Sequence, residues 1–304
     1  MNILIVSGFL GAGKTTFIRK LSEKTDKPFA VMENEYGGAG IDGNLLEQNR
    51  LKVWEMTEGC ICCSKKSDFA MSVLTIANTV APDYLVVEPT GVGMLSSVIA
   101  NLRKIEYEHI RLLKPLTVVD IDCIDSYLTT FEKFYVDQIK NAAHIVVSKT
   151  ENKRAAEIEK AVRTLAALNG EADITAKPYD SLDAPWWNEL FDMTKNAFTG
   201  KVTLFPLPLS AAPDLETASF TGITVESIEQ LISYLSALIA ERFGRVYRVK
   251  GFAPINGQWA KFDVVDKRYN IETCDAMSES KLTVIGKDLD KNALKLLFVV
   301  TSPL

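Results

Sequence analysis

One glycine-rich segment has the spacing of a phosphate-binding loop. Gly8-Phe9-Leu10-Gly11-Ala12-Gly13-Lys14-Thr15 fits G-x-x-x-x-G-K-[ST], follows a strand-like run and opens a predicted helix. Glycines let backbone N–H groups converge on phosphate oxygens, and the helix N-terminus adds the positive end of its dipole. We expect Lys14 to reach the β- and γ-phosphates and Thr15 to ligate Mg²⁺. The pattern predicts a nucleoside triphosphate site, against the alternative of a turn without a ligand. The expected contacts are Gly8, Gly11, Ala12, Gly13, Lys14, Thr15 and Thr16.

A carboxylate follows a second strand-like run. Glu88 ends Tyr84–Glu88 and is followed by Pro89-Thr90-Gly91. A carboxylate there can hold Mg²⁺ through water, or orient the attacking water. Gly91 would let the backbone approach the γ-phosphate, so that this turn senses hydrolysis. The alternative is a solvated Glu at a strand end. We predict Lys14 and Glu88 as the catalytic residues.

Three cysteines lie within four positions, at Cys60, Cys62 and Cys63. Thiolates are the preferred soft ligands for Zn²⁺ and Cu⁺. The adjacent Cys62 and Cys63 cannot both face inward on a regular strand, so a loop is implied. No histidine lies nearby in sequence, and Glu33 and Glu35 are the carboxylate candidates for a further ligand. Such an incomplete site suits metal transfer, whereas the alternative is buried or redox cysteines.

The first 195 residues alternate β-branched runs with amphipathic stretches, and several runs end in a polar residue. This alternation predicts an α/β fold with a mostly parallel sheet flanked by helices and a site at its carboxyl edge. The helix after the glycine-rich segment is predicted at Lys14–Lys24. The strand-like runs are Asn2–Ser7, Phe29–Glu33, Leu51–Glu55, Tyr84–Glu88, Leu116–Asp120 and His144–Ser148.

The composition changes after about residue 195. Proline-rich stretches at 205–213 read as a linker, and apolar residues at helical spacing follow between Ile228 and Ile239. We therefore predict a P-loop domain over 1–195, a linker over 196–213 and a small α+β domain over 214–304.

Composition narrows the class of protein. The chain has 304 residues and a formal net charge of −5, which argues against a nucleic-acid partner. Its apolar stretches are shorter than the ~20 residues of a membrane span, so no membrane partner is expected. Five cysteines without a basic, apolar leader indicate reduced thiols and a cytoplasmic location.

These motifs together resemble the CobW-type family of P-loop GTPases, relatives of the nickel-insertase GTPases of urease and hydrogenase maturation. The first 150 residues match the family in motif order and spacing, and two later segments resemble its small C-terminal domain. The motifs are Gly8 to Thr16, Glu33-Asn34-Glu35-Tyr36-Gly37, Gly59-Cys60-Ile61-Cys62-Cys63 and Glu88-Pro89-Thr90-Gly91, and the later segments are Arg248-Val249-Lys250-Gly251 and Val284-Ile285-Gly286-Lys287-Asp288-Leu289.

The resemblance implies a GTPase that binds Zn²⁺ or another transition metal and delivers it to a client protein. The expected cofactors are GTP, Mg²⁺ and Zn²⁺ or Co²⁺. The client would be a metalloenzyme or a cobalamin-linked protein, and related GTPases often form homodimers. The family's metal ligands correspond here to Glu35, Cys60, Cys62 and Cys63.

The sequence departs from the family pattern in the guanine motif, usually Asn-Lys-x-Asp. Ser148-Lys149-Thr150-Glu151 stands in its place. Glu151 keeps the carboxylate with one more methylene, Ser148 lacks the amide, and Lys149 can still stack its stem under the base. Base contacts are thus assigned to Ser148, Lys149 and Glu151, with a weakened preference for GTP and with ATP use left open. Gly38 stands where the family commonly has an acidic residue, and the family's His-rich stretch is missing, which favours a one-metal carrier.

Three other readings remain open at this point. One is a P-loop kinase for a small molecule, although no Arg-rich lid segment stands out. Another is a P-loop NTPase whose cysteines sense metal or redox state. The last is a maturation chaperone that binds a corrinoid or metal enzyme mainly through protein contacts.

Overall fold

The computed structural model describes residues 1–34, 52–56, 66–203 and 215–298. These residues form two compact units, one ending at residue 203 and the other starting at residue 215. Each unit has its own hydrophobic core. Within the described ranges, no helix is both long and apolar enough to cross a membrane.

The first unit is built on a parallel sheet. Across the sheet the order is β3-β2-β4-β1-β6-β7-β8, with β5 also paired to β1. Every described pair is parallel, as the sequence predicts. Its strands are β1 (Asn2–Gly8), β2 (Ala30–Asn34), β3 (Lys52–Met56), β4 (Tyr84–Glu88), β5 (Arg111–Leu112), β6 (Leu116–Asp120), β7 (His144–Ser148) and β8 (Asp173–Thr175).

Helices flank this sheet. Apolar runs such as Ile3 to Val6 are almost fully buried, as expected for strands covered on both faces. On the first helix, Phe17, Ile18 and Leu21 are buried at helical spacing and join the same core. The helices are α1 (Lys14–Lys24), α2 (Lys66–Thr79), α3 (Leu95–Arg103), α4 (Ile124–Thr130), α5 (Glu132–Lys140), α6 (Ala155–Leu168), α7 (Ala184–Glu189) and α8 (Met193–Asn196).

The predicted elements agree closely with the observed ones. β4, β6, β7 and α1 have the predicted bounds, and β2 and β3 each begin and end one residue later than predicted. The Pro-rich stretches at 205–213 lie outside the described residues.

Among the residues that the structure describes, the second unit is a five-stranded antiparallel sheet with two helices. The strand order is β12-β11-β10-β13-β9, and Leu231, Leu235 and Leu238 bury the apolar stripe predicted from the sequence. Its elements are β9 (Glu216–Thr221), α9 (Ile228–Ile239), β10 (Arg245–Ile255), β11 (Gln258–Val265), β12 (Arg268–Cys274), β13 (Lys281–Lys287) and α10 (Lys291–Phe298).

Candidate nucleotide-binding site

The turn from β1 into α1 needs glycine at several positions. Gly8, Gly11 and Gly13 have φ of 151°, 73° and 95°, values that residues with a Cβ rarely adopt. A Cβ on Gly8 would lie 2.4 Å from the carbonyl oxygen of Val118 on β6. Gly13 precedes α1 and brings no capping side chain. The first N–H groups of the helix therefore stay available for an anion.

Lys14 lies beside the carboxylate at the end of β4. Its Nζ is 3.7 Å from Glu88 Oε1, and both side chains are about nine-tenths buried. Glu33 lies on β2, where it is the register partner of Glu88 on β4, and it is also buried. From the sequence, Glu33 is a candidate carboxylate ligand for the cysteine site. Thr15 follows Lys14 in the first turn of α1 and is half-buried, whereas Thr16 is exposed. A hydroxyl and carboxylate oxygens are hard donors, which fit Mg²⁺.

The turn after β4 packs directly on the P-loop backbone. A Cβ on Gly91 would come within 2.9 Å of Leu10 Cδ2 and 3.0 Å of Leu10 N. The turn closes on itself because the N–H of Gly93 donates to the carbonyl of Thr90 at 2.9 Å. Glycine is therefore required at position 91 for this close approach.

The end of β7 contacts the P-loop from the other side. The Ser148 hydroxyl donates to the carbonyl of Ala12 at 2.6 Å and to that of Val119 at 3.2 Å. Lys149 has φ of 61°, and its Nζ donates to the carbonyl of Gly11 at 3.1 Å. Glu151 is exposed two residues further on. The family-like base motif thus lies next to the predicted phosphate loop, and Ser148 braces that loop.

Asp120 is a further residue of this region that the motif analysis did not single out. It ends β6, is buried, and accepts from Lys149 Nζ at 2.7 Å. It also accepts from the N–H of Asp122 at 2.9 Å and from the thiol of Cys123 at 3.4 Å. Its position at the end of a predicted strand is the sequence feature that could have identified it as a site residue. Asp120 holds the Lys149 ammonium and so orients the stem of that side chain.

The predicted transition-metal ligands, Glu35, Cys60, Cys62 and Cys63, lie outside the described residues. Within the ranges that are described, no group of three or more His, Cys, Asp or Glu side chains forms a metal-binding cluster.

Two family profiles match the chain. The nucleotide-binding domain of CobW/HypB/UreG matches residues 2–176, and the C-terminal domain of the cobalamin synthesis protein cobW matches residues 221–299. The chain belongs to the CobW/HypB/UreG family. The resemblance seen in the motifs is thereby confirmed, and as a member of this family the protein is a P-loop GTPase.

Curated relatives agree with this assignment, and one solved structure shares the fold of the first unit. The zinc chaperone YeiR of Escherichia coli (strain K12) is 32% identical over 230 residues, covering 74% of this chain and 67% of its own length. The zinc chaperone YjiA of the same organism is 25% identical over 315 residues, covering 97% of each chain. The structure of HypB from Helicobacter pylori in complex with nickel is 19% identical, with a TM-score of 0.50 over 66% of this chain and 90% of that one. The HypB likeness concerns the fold alone.

Proposed function

We propose that this protein is a GTP-hydrolysing metal chaperone that carries Zn²⁺, or Co²⁺, on its Cys-x-Cys-Cys motif and delivers it to a client protein. The observation that carries the proposal is the pairing of a P-loop, whose Lys14 lies 3.7 Å from Glu88, with three cysteines in one short stretch of the same domain. Curated relatives named zinc chaperones support the metal and the transfer.

In the proposed nucleotide site, Lys14 binds the β- and γ-phosphates and Thr15 and Glu88 hold Mg²⁺. The geometry supports this because Lys14 lies nine-tenths buried at the start of α1, where the helix dipole also favours an anion. A phosphate there would share the Lys14 ammonium with Glu88, and Mg²⁺ would offset the charge between carboxylate and phosphate. Bound Mg²⁺ supplies charge neutralisation, while Glu88 orients the attacking water.

The base site is proposed at Ser148, Lys149 and Glu151. Lys149 is held by Asp120 and Gly11, so its stem is ready to lie against a planar ring. The Ser148 hydroxyl is engaged by the P-loop carbonyl of Ala12, which leaves Glu151 as the carboxylate for the guanine edge. Without the amide of the usual motif, we expect GTP to be preferred over ATP only weakly.

The proposed metal ligands are Glu35, Cys60, Cys62 and Cys63, and chain connectivity supports them as one set. β2 and β3 are neighbouring parallel strands whose last residues, Asn34 and Met56, are register partners. Glu35 is the next residue after Asn34, and Cys60 stands four positions after Met56. At ~3.8 Å per residue, both lie within a short covalent reach of the same sheet edge.

We propose that nucleotide and metal are coupled. The segments that follow β2 and β3 start at the edge that carries Glu33 and the P-loop. GTP and Mg²⁺ would order these segments and change the geometry of the thiolates, and hydrolysis would release the metal to the client. The client is a metalloenzyme or a cobalamin-linked protein. We further propose that the chain forms a homodimer and acts in the reducing cytoplasm. In this proposal the P-loop domain spans residues 1–195, the linker 196–213 and the C-terminal domain 214–304.

The test is a Co²⁺ titration of the reduced protein, followed by the sulfur-to-metal charge-transfer band, with and without GTP and Mg²⁺. We expect a tetrahedral thiolate spectrum whose affinity changes with GTP. Replacing both Cys62 and Cys63 by Ser should remove the band, and Cys274→Ser, on β12 of the second unit, is the matched control that should keep it.

Two results would contradict the proposal at different points. A wild-type titration without a thiolate band would leave a GTPase with redox or structural cysteines. A band that survives the double Cys62 and Cys63 substitution would place the metal on other ligands.

A further inference from the structure

One buried amide holds the turn that follows β4. Gln138 on α5 is fully buried, and its Nε2 donates to the carbonyl of Gly91 at 3.2 Å and to that of Gly93 at 2.8 Å. Both N–H bonds of the amide are thereby spent on two carbonyls of the same turn. Since each peptide is planar, fixing a carbonyl also fixes the direction of the following N–H.

Gln138 is itself held firmly. Its backbone carbonyl accepts from the Thr117 hydroxyl of β6 at 3.0 Å, which ties α5 to the sheet two strands away from β4. The preceding residue, Asp137, is also fully buried, and its Oδ2 accepts from the N–H of Ser96 in the first turn of α3 at 3.1 Å. Neighbouring residues of α5 thus hold the turn and the start of the helix that follows it.

α5 and the preceding helix α4 form a helical hairpin, which also braces the P-loop. The Tyr127 hydroxyl on α4 donates to the carbonyl of Leu10 at 3.0 Å. Phe9 lies among three rings of α4 and α5 and the turn between them, with centroid distances of 4.8 Å to Tyr127, 4.7 Å to Phe131 and 5.8 Å to Tyr135. Two walls of the phosphate site, the P-loop and the Gly91 turn, are therefore set by one hairpin.

We propose that Gln138 is a positioning residue for GTP hydrolysis, which keeps the Gly91 turn against the P-loop where it meets the γ-phosphate. The inference rests on the proposed function and on the γ-phosphate-sensing role that the sequence predicts for this turn. Gln138 touches neither nucleotide nor water and acts through the backbone of Gly91 and Gly93. GDP lacks the γ-phosphate, so the effect of Gln138 is confined to the triphosphate state and to turnover.

The test compares the affinities for a non-hydrolysable GTP analogue and for GDP, both with Mg²⁺, and measures kcat and KM for GTP. Gln138→Met keeps the length of the side chain and removes both donors. We expect the analogue to bind about tenfold more weakly and kcat to fall about tenfold, with GDP affinity unchanged. Gln138→Asn, which keeps an amide on a shorter stem, should fall between wild type and Gln138→Met and guards against a variant that does not fold.

Asn169→Leu is the matched control. Its Nδ2 donates to the carbonyls of Ile139 and Ala142, at 2.8 and 2.9 Å, near the C-terminal end of the same helix α5. This variant loses a similar pair of bonds without contact with the Gly91 turn. It should lose stability and leave the ratio of analogue to GDP affinity unchanged.

Gly91→Ala tests the role of the turn independently of Gln138. Its Cβ would push the turn away from Leu10, so analogue binding should weaken if the turn meets the γ-phosphate. If Gly91→Ala weakens analogue binding but Gln138→Met behaves like Asn169→Leu, the role of Gln138 is overturned and that of the turn stands. If Gly91→Ala also leaves the ratio unchanged, the γ-phosphate role of the turn fails, and the inference fails with it.

Discussion

Lys14 is the residue whose side chain most directly joins the P-loop to the sheet edge. It is nine-tenths buried, and its charge lies 3.7 Å from Glu88. Burial of a lysine is costly unless an anion compensates it. We interpret the Lys14–Glu88 pair as a site that is arranged for phosphate and Mg²⁺.

Replacing Lys14 by Met should lower kcat for GTP by about 100-fold or more, because the variant lacks the buried ammonium that is proposed to contact the transferred phosphoryl group. The rate of phosphate release at saturating GTP measures kcat. Lys20→Met, also on α1 but paired at the surface with Asp180 at 2.9 Å, is the control and should keep wild-type turnover. Near-normal turnover in Lys14→Met would remove Lys14 from the catalytic set.

Gly8→Ala should destabilise the protein by about 2 kcal/mol or more, because φ is 151° and the new Cβ would meet the Val118 carbonyl at 2.4 Å. Chemical denaturation measures the change. Gly170→Ala places its Cβ 3.6 Å from the carbonyl of Ala166, an ordinary contact, and should stay within about 0.5 kcal/mol of wild type. Equal stabilities for both variants would show that the P-loop relaxes around the added methyl group.

Among the secondary-structure elements, α5 has a role that its amphipathic pattern does not reveal. Its buried face carries Asp137 and Gln138 in addition to apolar residues. Asn141, just beyond its end, donates to Asp137 Oδ1 at 3.2 Å and exchanges two hydrogen bonds with the backbone of Thr203. This polar network explains why a carboxylate and two amides are tolerated in the interior.

The buried carboxyl of Asp137 on α5 makes the free energy of unfolding depend on pH. Burial raises the pKa of Asp137 from its ordinary value of 3.8 to about 6, although hydrogen bonds from Ser96 and Leu95 oppose the rise. The folded protein therefore binds more protons than the unfolded chain between these two pKa values. The contribution of Asp137 to the free energy of unfolding falls as pH rises through this window, by about 3 kcal/mol if the whole shift is realised.

Asp137→Asn should abolish this dependence. The stability of the variant relative to wild type should rise as pH increases from 4 to 6 and then level off, measured by denaturation at each pH. Asp192→Asn is the opposing control, because hydrogen bonds from Thr194 lower the pKa of Asp192, so its relative stability should fall as pH rises through the range of that carboxyl. A stability difference for Asp137→Asn that stays flat from pH 4 to 7 would contradict the shift.

For the molecule as a whole, the proposed function requires that two ligands bias one conformational equilibrium. If GTP changes Zn²⁺ affinity by some factor, Zn²⁺ must change GTP affinity by the same factor. Titration calorimetry of Zn²⁺ with and without a GTP analogue and Mg²⁺, and of the analogue with and without Zn²⁺, should give equal ratios, of about 5- to 150-fold.

The double Cys62 and Cys63 to Ser variant supplies the control for this coupling. In this variant, Zn²⁺ should no longer change the affinity for the GTP analogue. That affinity should equal the one measured for the metal-free wild-type protein. Identical affinities with and without the second ligand in the wild-type protein would separate the two sites and end the proposal that GTP gates the metal.

Local patterns along the chain were enough for six strands of the first unit, the P-loop and the family. β4, β6 and β7 could be bounded because continuous apolar runs ending in a polar residue are characteristic of buried parallel strands. Lys14, Thr15 and Glu88 could be named because each stands at a defined position of a strand end or helix start. These features depend on neighbouring residues in the sequence, so periodicity and motif spacing report them.

Contacts between distant segments needed the folded chain. The grip of Gln138 on Gly91, the pairing of Asp120 with Lys149 and the bond from Ser148 to Ala12 join residues 29 to 136 positions apart. The sequence marks Gln138 only as a polar residue, because nothing in local spacing tells which carbonyls a buried amide will meet. Such pairings arise from strand order and helix packing, which bring the α4–α5 hairpin, the P-loop and the Gly91 turn to one place.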